Sequence, residues 1–108
     1  MDRIIREVEK DHRVQISYEI QQKVESQPTA ADAPVVKALS RAIEEVYRVA
    51  TKTIGIGSGT VGAYLRNAGY PCVVWSRLDE TAHKPNEYAK IENIVGDAKV
   101  FAALMLRE

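Results

Sequence analysis

The chain has 108 residues, of which 45% are apolar, so it is long enough for one small domain and too apolar to be disordered. Fifteen lysine and arginine residues balance fifteen aspartate and glutamate residues, and no basic stripe or block of like charges stands out. We therefore expect neither nucleic acid nor a membrane surface as a partner.

Cysteine use and the first residues indicate the compartment. Cys72 is the one cysteine, so it has no internal partner for a disulfide. The stretch MDRIIREVEKD lacks the long apolar run of a signal peptide or a membrane span. We expect a reducing, cytoplasmic setting.

The first part of the chain predicts a helix and then a strand. Residues 2–11 fit a short amphipathic helix whose narrow apolar face is formed by Ile4, Ile5 and Val8. From Val14 to Val24, apolar and polar residues alternate with the period of two that is typical of a strand with one face in solvent.

Turn-forming residues then predict a domain boundary. Residues 25–33, ESQPTAADA, separate the first helix and strand from the rest of the chain. We place the boundary near Gln27, which divides the chain into residues 1–26 and 27–108.

A second helix follows this boundary. Asp32 has the position of an N-cap and Pro34 lies in the first turn, where its missing N–H costs nothing. The predicted apolar stripe of this helix is Val35, Leu39, Ile43 and Val46.

The middle of the chain predicts a strand, a helix and a second strand. Thr51–Ile56 is rich in β-forming residues, and Thr60–Asn67 has a helical pattern that Gly69 would end as a C-terminal cap. Tyr70–Ser76 is apolar almost throughout, which is typical of a strand buried on both faces.

The last part predicts a polar loop and a final helix. Residues 77–90 have no clear period, and the helix after them carries an apolar stripe of Ile94, Ala98, Phe101 and Met105. The alternation of helices and strands predicts an α/β fold, with helices layered on a mostly parallel sheet and right-handed crossovers. A site is then expected in the loops at the carboxyl ends of the strands.

One such loop is rich in glycine. Gly57, Gly59 and Gly62 have the spacing G-x-G-x-x-G between a predicted strand and helix, and Asp79 follows about 20 residues later, as in dinucleotide-binding proteins. Too little chain follows Asp79 for a second nucleotide half. The glycines also fit a purely conformational role, or a cradle of backbone N–H groups for a phosphate or a carboxylate.

The loop DETAHKPNEY holds most of the remaining polar chemistry. His83 is either a hydrogen-bonded or solvated residue or a ligand or catalyst, and Asp79, Glu80 and Glu87 are carboxylates able to accept its second ring N–H. His12 and a Cys72–His83 nucleophile pair are weaker candidates, because Cys72 lies in an apolar run where an inert buried thiol is the default.

Together, GIGSGTVGAYLRNAGYPCVVW and DETAHKPNEY resemble the C-terminal segment of the two-zinc aminoacylase and desuccinylase metallopeptidases. Members of this family include succinyl-diaminopimelate desuccinylase, acetylornithine deacetylase and carboxypeptidase G. The resemblance implies that residues 1–26 are the trailing helix and strand of the lid or dimerisation domain. It implies that residues 27–108 are the last part of the catalytic domain.

The resemblance also implies roles for single residues. His83 would ligate one of two zinc ions, while Lys84, Pro85, Asn86 and Glu87 shape the loop around it. The substrate's carboxylate would bind at Gly57, Ser58, Gly59 and Thr60. Many members of the family have an aspartate within two residues of the Gly-Thr pair, whereas Val61 and Gly62 stand at those positions here.

The family's general base and its other metal ligands match nothing in this sequence, and one histidine is too few ligands for a catalytic zinc. We therefore expect a truncated amidohydrolase that is inactive alone and acts on N-acyl amino acids or peptides only with a complementary N-terminal chain. The alternative is a non-catalytic interaction module. In either case the unpaired strand Val14–Val24 favours a homo-oligomer.

Overall fold

The computed structural model describes residues 1–56 and 59–107, and their regular secondary structure is entirely helical. The helices in chain order are α1 (Asp2–His12), α2 (Pro34–Tyr47), α3 (Val61–Asn67) and α4 (Ile91–Met105). All four were predicted. No residue in the two described ranges belongs to a strand, so the predicted α/β fold with a parallel sheet is wrong.

Among the described residues, the three segments predicted as strands, 14–24, 51–56 and 70–76, form neither helix nor strand, and we call them the extended segments. A strand is stabilised by backbone bonds to a second strand about 4.8 Å away. Within the described ranges, no backbone hydrogen bond joins one extended segment to another. The alternation of apolar and polar residues from Val14 to Val24 is thus not sufficient for a strand. A sheet also needs backbone hydrogen bonds to a neighbouring strand.

Helix carboxylates hold the extended segments instead. The backbone N–H of Ile16 donates to Glu9 of α1 (2.9 Å), and that of Thr51 donates to Glu44 of α2 (3.2 Å). The segment after Tyr70 is attached to α4, because Arg77 N donates to Asp97 Oδ1 (3.1 Å). Each extended segment is thus docked on a helix through a side chain.

The core lies between α2 and α4. It is built from Leu39, Ala42, Ile43 and Val100, of which Ala42 and Val100 are fully buried. Val73 and Trp75 of the extended segment pack against it. That segment is not buried on both faces as predicted, because Tyr70 and Val74 remain more than half exposed.

A close approach of the two helices decides which face of α4 is buried. A Cβ atom on Gly96 would lie 1.9 Å from the hydroxyl oxygen of Tyr47, so only glycine allows this contact. Helix α4 therefore buries the face that carries Asn93, Gly96 and Val100. The predicted stripe is wrong at all four positions, because Ile94, Ala98, Phe101 and Met105 are exposed, Ile94 and Met105 at 58% and 81%.

The helix boundaries agree closely with the sequence pattern. Pro34 is the first residue of α2, and the N-cap is Ala33 rather than the predicted Asp32. Gly69 has a φ of 89° and its N–H donates to the carbonyl of Arg66, so it ends α3 in the left-handed conformation that glycine adopts easily.

Residues 22–29 cross over α3 and are fixed to it by side chains. Tyr64 accepts a bond from Gln22, Arg66 donates to Ser26, and Asn67 donates to the carbonyl of Glu25. These contacts surround the predicted domain boundary near Gln27, which stays a prediction.

Large apolar side chains are widely exposed outside the α2–α4 core. Ile54, Leu78 and Met105 are 72%, 68% and 81% accessible to solvent. In the described parts of the chain, no helix has both the length and the apolar composition needed to cross a membrane.

Candidate functional site

The DETAHKPNEY loop folds as a succession of tight turns between the extended segment and α4. Within it, Lys84 N donates to the carbonyl of Thr81 (3.1 Å) and Glu87 N donates to the carbonyl of Lys84 (3.2 Å). Pro85 is the second residue of the turn from Lys84 to Glu87, where its fixed φ favours a reversal of the chain. The loop is therefore ordered by its own backbone.

His83 lies at the exposed end of this loop in an unusual backbone conformation. Its φ is 61°, as is that of Asn86, and both values are in the left-handed region. Histidine and asparagine enter that region more readily than most residues, but the cost is still about 1 kcal/mol or more for each. The His83 N–H donates to Glu87 Oε2 (3.1 Å), which helps to hold the turn.

The base of the loop is closed by three side chains, Asp79, Tyr88 and Lys90, which we call the loop clasp. Asp79 Oδ2 accepts a hydrogen bond from the Tyr88 hydroxyl (2.8 Å) and lies 2.9 Å from Lys90 Nζ. Thr81 Oγ1 adds a bond to the carbonyl of Tyr88 (3.3 Å). The clasp joins the start of the loop to its end.

The clasp shifts the titration of all three of its groups. The Lys90 ammonium, followed by the Tyr88 hydroxyl, holds the pKa of the Asp79 carboxyl below its ordinary value. In return, the bond to the Asp79 carboxylate raises the pKa of Tyr88 and that of Lys90. Around neutral pH the clasp is therefore an ionised pair with a neutral phenol.

The carboxylates proposed as partners for the His83 ring have other contacts. Asp79 is engaged in the clasp, and Glu87 accepts the backbone N–H of His83. The described contact of Glu80 is through its backbone carbonyl, which accepts a bond from Lys84 Nζ. None of these contacts involves the imidazole, so the predicted pairing of the ring with a carboxylate stays a prediction.

The described residues do not make up a metal centre on their own. Nowhere in residues 1–56 and 59–107 do three or more histidine, cysteine, aspartate or glutamate side chains lie close enough together to hold an ion. A catalytic zinc normally has three protein ligands, and His83 would be one of them. The donor set of this chain is thus incomplete for the metal that the sequence resemblance implies.

The glycine loop is described only in part. Gly57 and Ser58, both predicted to bind substrate, lie outside the described residues. Gly59 is exposed and has open space around its Cα, while Thr60 is half-buried and is the N-cap of α3. None of the hydrogen bonds described for the His83 loop reaches Gly59 or Thr60.

Packing explains the third glycine of the G-x-G-x-x-G spacing. A Cβ on Gly62 would lie 3.0 Å from a methyl group of Val74 and 3.3 Å from the sulfur of Cys72. Gly62 thus lets α3 lie close to the extended segment. Asp79, the carboxylate that a ribose would need, is already paired with Lys90. Both observations argue against the dinucleotide alternative.

The contacts of the two weaker candidates, Cys72 and His12, fit structural roles. Cys72 is half-buried, and its backbone N–H and carbonyl are both bonded to the Thr29 hydroxyl (3.1 and 2.6 Å). His12 ends α1, where a basic residue complements the helix dipole. No described contact joins Cys72 to His83.

Sequence reasoning missed Tyr88 and Lys90. Lys90 directly precedes α4, where a cation is disfavoured by the positive end of the helix dipole. A carboxylate nearby offsets this unfavourable charge, and Asp79 lies 2.9 Å from the Lys90 ammonium. The signal in the sequence was therefore a lysine directly before the start of a helix.

Comparison with known proteins gives the chain's family. The family described as peptidase family M20/M25/M40 matches residues 4–107, which is nearly the whole chain. An uncharacterized metallohydrolase of Methanococcus maripaludis is 39% identical over 99 residues, covering 92% of this chain and 24% of the relative. One of Methanocaldococcus jannaschii is 41% identical over 93 residues, covering 86% and 23%.

The chain belongs to peptidase family M20/M25/M40. This confirms the resemblance to the metallopeptidases that the two loops indicated. The chain spans about a quarter of the length of the curated relatives that it matches. No solved structure gives a significant match to it.

Proposed function

We propose that this chain is the C-terminal segment of a metal-dependent amide hydrolase and supplies one metal ligand, His83, to a site that other residues complete. The observation that carries this proposal is the His83 loop, which holds the histidine at an exposed tip with its backbone N–H bonded to Glu87. The family match and the metallohydrolase names of the relatives support the reaction class.

The finer assignments follow from the family resemblance. The metal is zinc, and the substrates are N-acyl amino acids or peptides of the desuccinylase, deacetylase or peptidase type. The substrate's carboxylate binds at Gly57, Ser58, Gly59 and Thr60, where the start of α3 would add backbone N–H groups. The protein acts in the cytoplasm.

The described residues support the view that the chain is inactive alone. Three protein ligands and a general base are needed to activate a metal-bound water, and the described side chains do not assemble them. A complementary N-terminal chain or segment would supply them. The matched part is about a quarter of each relative, so the rest of those proteins has room for such residues.

A second candidate function is a non-catalytic module that associates with copies of itself. It is favoured by the exposed apolar residues of the extended segment 14–24, which include Tyr18 and Ile20 at 52% and 63% exposure. Association of two copies would bury this surface and pair the free backbone groups. The two functions differ in whether His83 is required, because only the first uses it as a metal ligand.

A chimera tests the proposal. The matching quarter of the M. maripaludis relative is replaced by this chain, with His83 or with His83→Ala, and zinc content and hydrolysis of N-succinyl and N-acetyl amino acids are measured. We expect His83→Ala to lower zinc content and abolish hydrolysis. His12→Ala is the matched control and should change neither.

Calorimetric titration of the isolated chain with zinc supplies the baseline. We expect no tight, stoichiometric binding, because one imidazole holds the ion weakly. Equal zinc content and activity in the two chimeras would contradict the proposal and favour the non-catalytic module.

A further inference from the structure

The loop clasp closes the base of the His83 loop. The proposed metal-binding role does not explain why its three side chains interact. Asp79 precedes the turns, whereas Tyr88 and Lys90 follow them, so the two bonds to Asp79 Oδ2 tie together the points where the loop leaves and re-enters the fold. Asp79 is shielded more than its partner, with 29% of its side chain exposed against 47% for Lys90.

The loop needs such a closure because its backbone is held in a disfavoured conformation. His83 and Asn86 are both left-handed, and both are exposed. Non-glycine residues keep that conformation only where surrounding contacts over-determine it. The turn bonds at Lys84 and Glu87 lie inside the loop, so its ends are fixed by the clasp and by the bond from the Thr81 hydroxyl to the Tyr88 carbonyl.

The clasp also connects the loop to the helical core. Lys90 is the N-cap residue of α4, and Asn93 in the first turn of the same helix is buried. Farther along, Gly96 and Val100 pack α4 against α2. The base of the loop is therefore attached to one of the two helices that form the core.

We propose that Asp79 is a positioning residue for His83: by holding Tyr88 and Lys90 across the base of the loop, it fixes the left-handed backbone at His83 and the direction in which the imidazole is presented. The functional consequence rests on the proposed role of His83 as a metal ligand. The geometric part does not depend on any metal.

Nuclear magnetic resonance of the whole chain tests the geometry without a metal. In a left-handed residue, the amide proton and the α proton of that residue are unusually close. This short distance gives a strong intraresidue nuclear Overhauser cross-peak, which is the peak measured for each residue below. We expect strong peaks at His83 and Asn86 in the unsubstituted chain, their loss in Asp79→Ala, and weaker peaks in Tyr88→Phe. Thermal unfolding of the α2–α4 core should not change.

Glu80→Gln is the matched control. It removes a carboxylate from the same loop, but the described contact of Glu80 is through its backbone carbonyl. The peaks at His83 and Asn86 should remain as strong as in the unsubstituted chain.

The pH profile separates positioning from general support of the fold. The groups that face Asp79 are the Lys90 ammonium, the Tyr88 hydroxyl and the neutral Asn93 amide. The pKa of the Asp79 carboxyl is lowered in the folded chain. The clasp is therefore complete at pH values above about 4, the ordinary carboxyl pKa, and it is lost as the pH falls through the lowered pKa of Asp79. The His83 peak should weaken in that range, and Asp79→Asn should lack the step.

Strong His83 and Asn86 peaks in Asp79→Ala would overturn the proposal, as would equal losses in Glu80→Gln. Should Asp79→Ala fail to fold, Tyr88→Phe decides, since it removes only one hydroxyl at the surface. The chimera result is separate: unchanged zinc content in His83→Ala removes the metal role and leaves the positioning of the loop standing.

Discussion

The α2–α4 pair and the His83 loop are held by different kinds of interaction. The pair is held by apolar burial around Leu39 and Val100, which are 5% and 0% exposed. The loop buries almost nothing and is held by the clasp and by turn bonds. Stability is therefore concentrated in one region, and the geometry of the candidate site in the other.

This separation means that substitutions should sort into two groups. Changes in the pair should alter the free energy of unfolding of the whole chain, because its side chains form the continuous core. Changes in the loop should alter local geometry and leave the core intact, since regions with few buried contacts open independently. The following predictions test the limits of that separation.

The largest effect is expected from Leu39→Ala. Leu39 is buried in the centre of the pair, so the substitution leaves a cavity and should reduce the free energy of unfolding by about 2–5 kcal/mol. Denaturant titration followed by circular dichroism measures it. A cost below about 1 kcal/mol would mean that the pair does not carry the stability.

The second effect is expected from Gly96→Ala, which would place a methyl group against the Tyr47 hydroxyl. The Tyr47 ring has little room to retreat, because it packs against Trp75 and under the Arg77 guanidinium. We expect a net loss of about 1–2 kcal/mol, since overpacking outweighs the better helix propensity of alanine.

Tyr47→Phe provides the partner variant for a double-mutant cycle. The Tyr47 hydroxyl is buried and finds no hydrogen-bond partner among the described residues, so its removal should be nearly neutral. In the phenylalanine background, Gly96→Ala should cost less than in the unsubstituted chain. Additive effects would show that the two residues do not meet in solution.

The same contrast explains what the sequence could predict. The helices were predictable because their hydrogen bonds are local and their caps and stripes lie within a few residues, as at Pro34 and Gly69. The sheet was predicted wrongly because a strand needs a second strand to pair with, and the residue pattern of one segment does not show whether a second strand lies beside it. The buried face of α4 was missed because it depends on Gly96 meeting Tyr47, which is remote in sequence.

The candidate site was predictable in part for a similar reason. His83 and its neighbours form a contiguous motif, so the loop could be identified from the sequence and the family membership confirmed. The clasp joins Asp79 to Tyr88 and Lys90 across the loop, and nothing in the local pattern pairs these residues. The left-handed φ of His83 follows from that closure and likewise escaped prediction.

The smallest effect is expected from Ile54→Ala, the matched counterpart of Leu39→Ala in an extended segment. Ile54 is 72% exposed, so its truncation should change the free energy of unfolding by no more than about 0.5 kcal/mol. The measurement is repeated at two protein concentrations. A cost as large as that of Leu39→Ala would mean that Ile54 is covered in solution, and the contrast between the two regions would fail. A cost that grows with concentration would identify the cover as a second copy of the chain, because association stabilises by mass action.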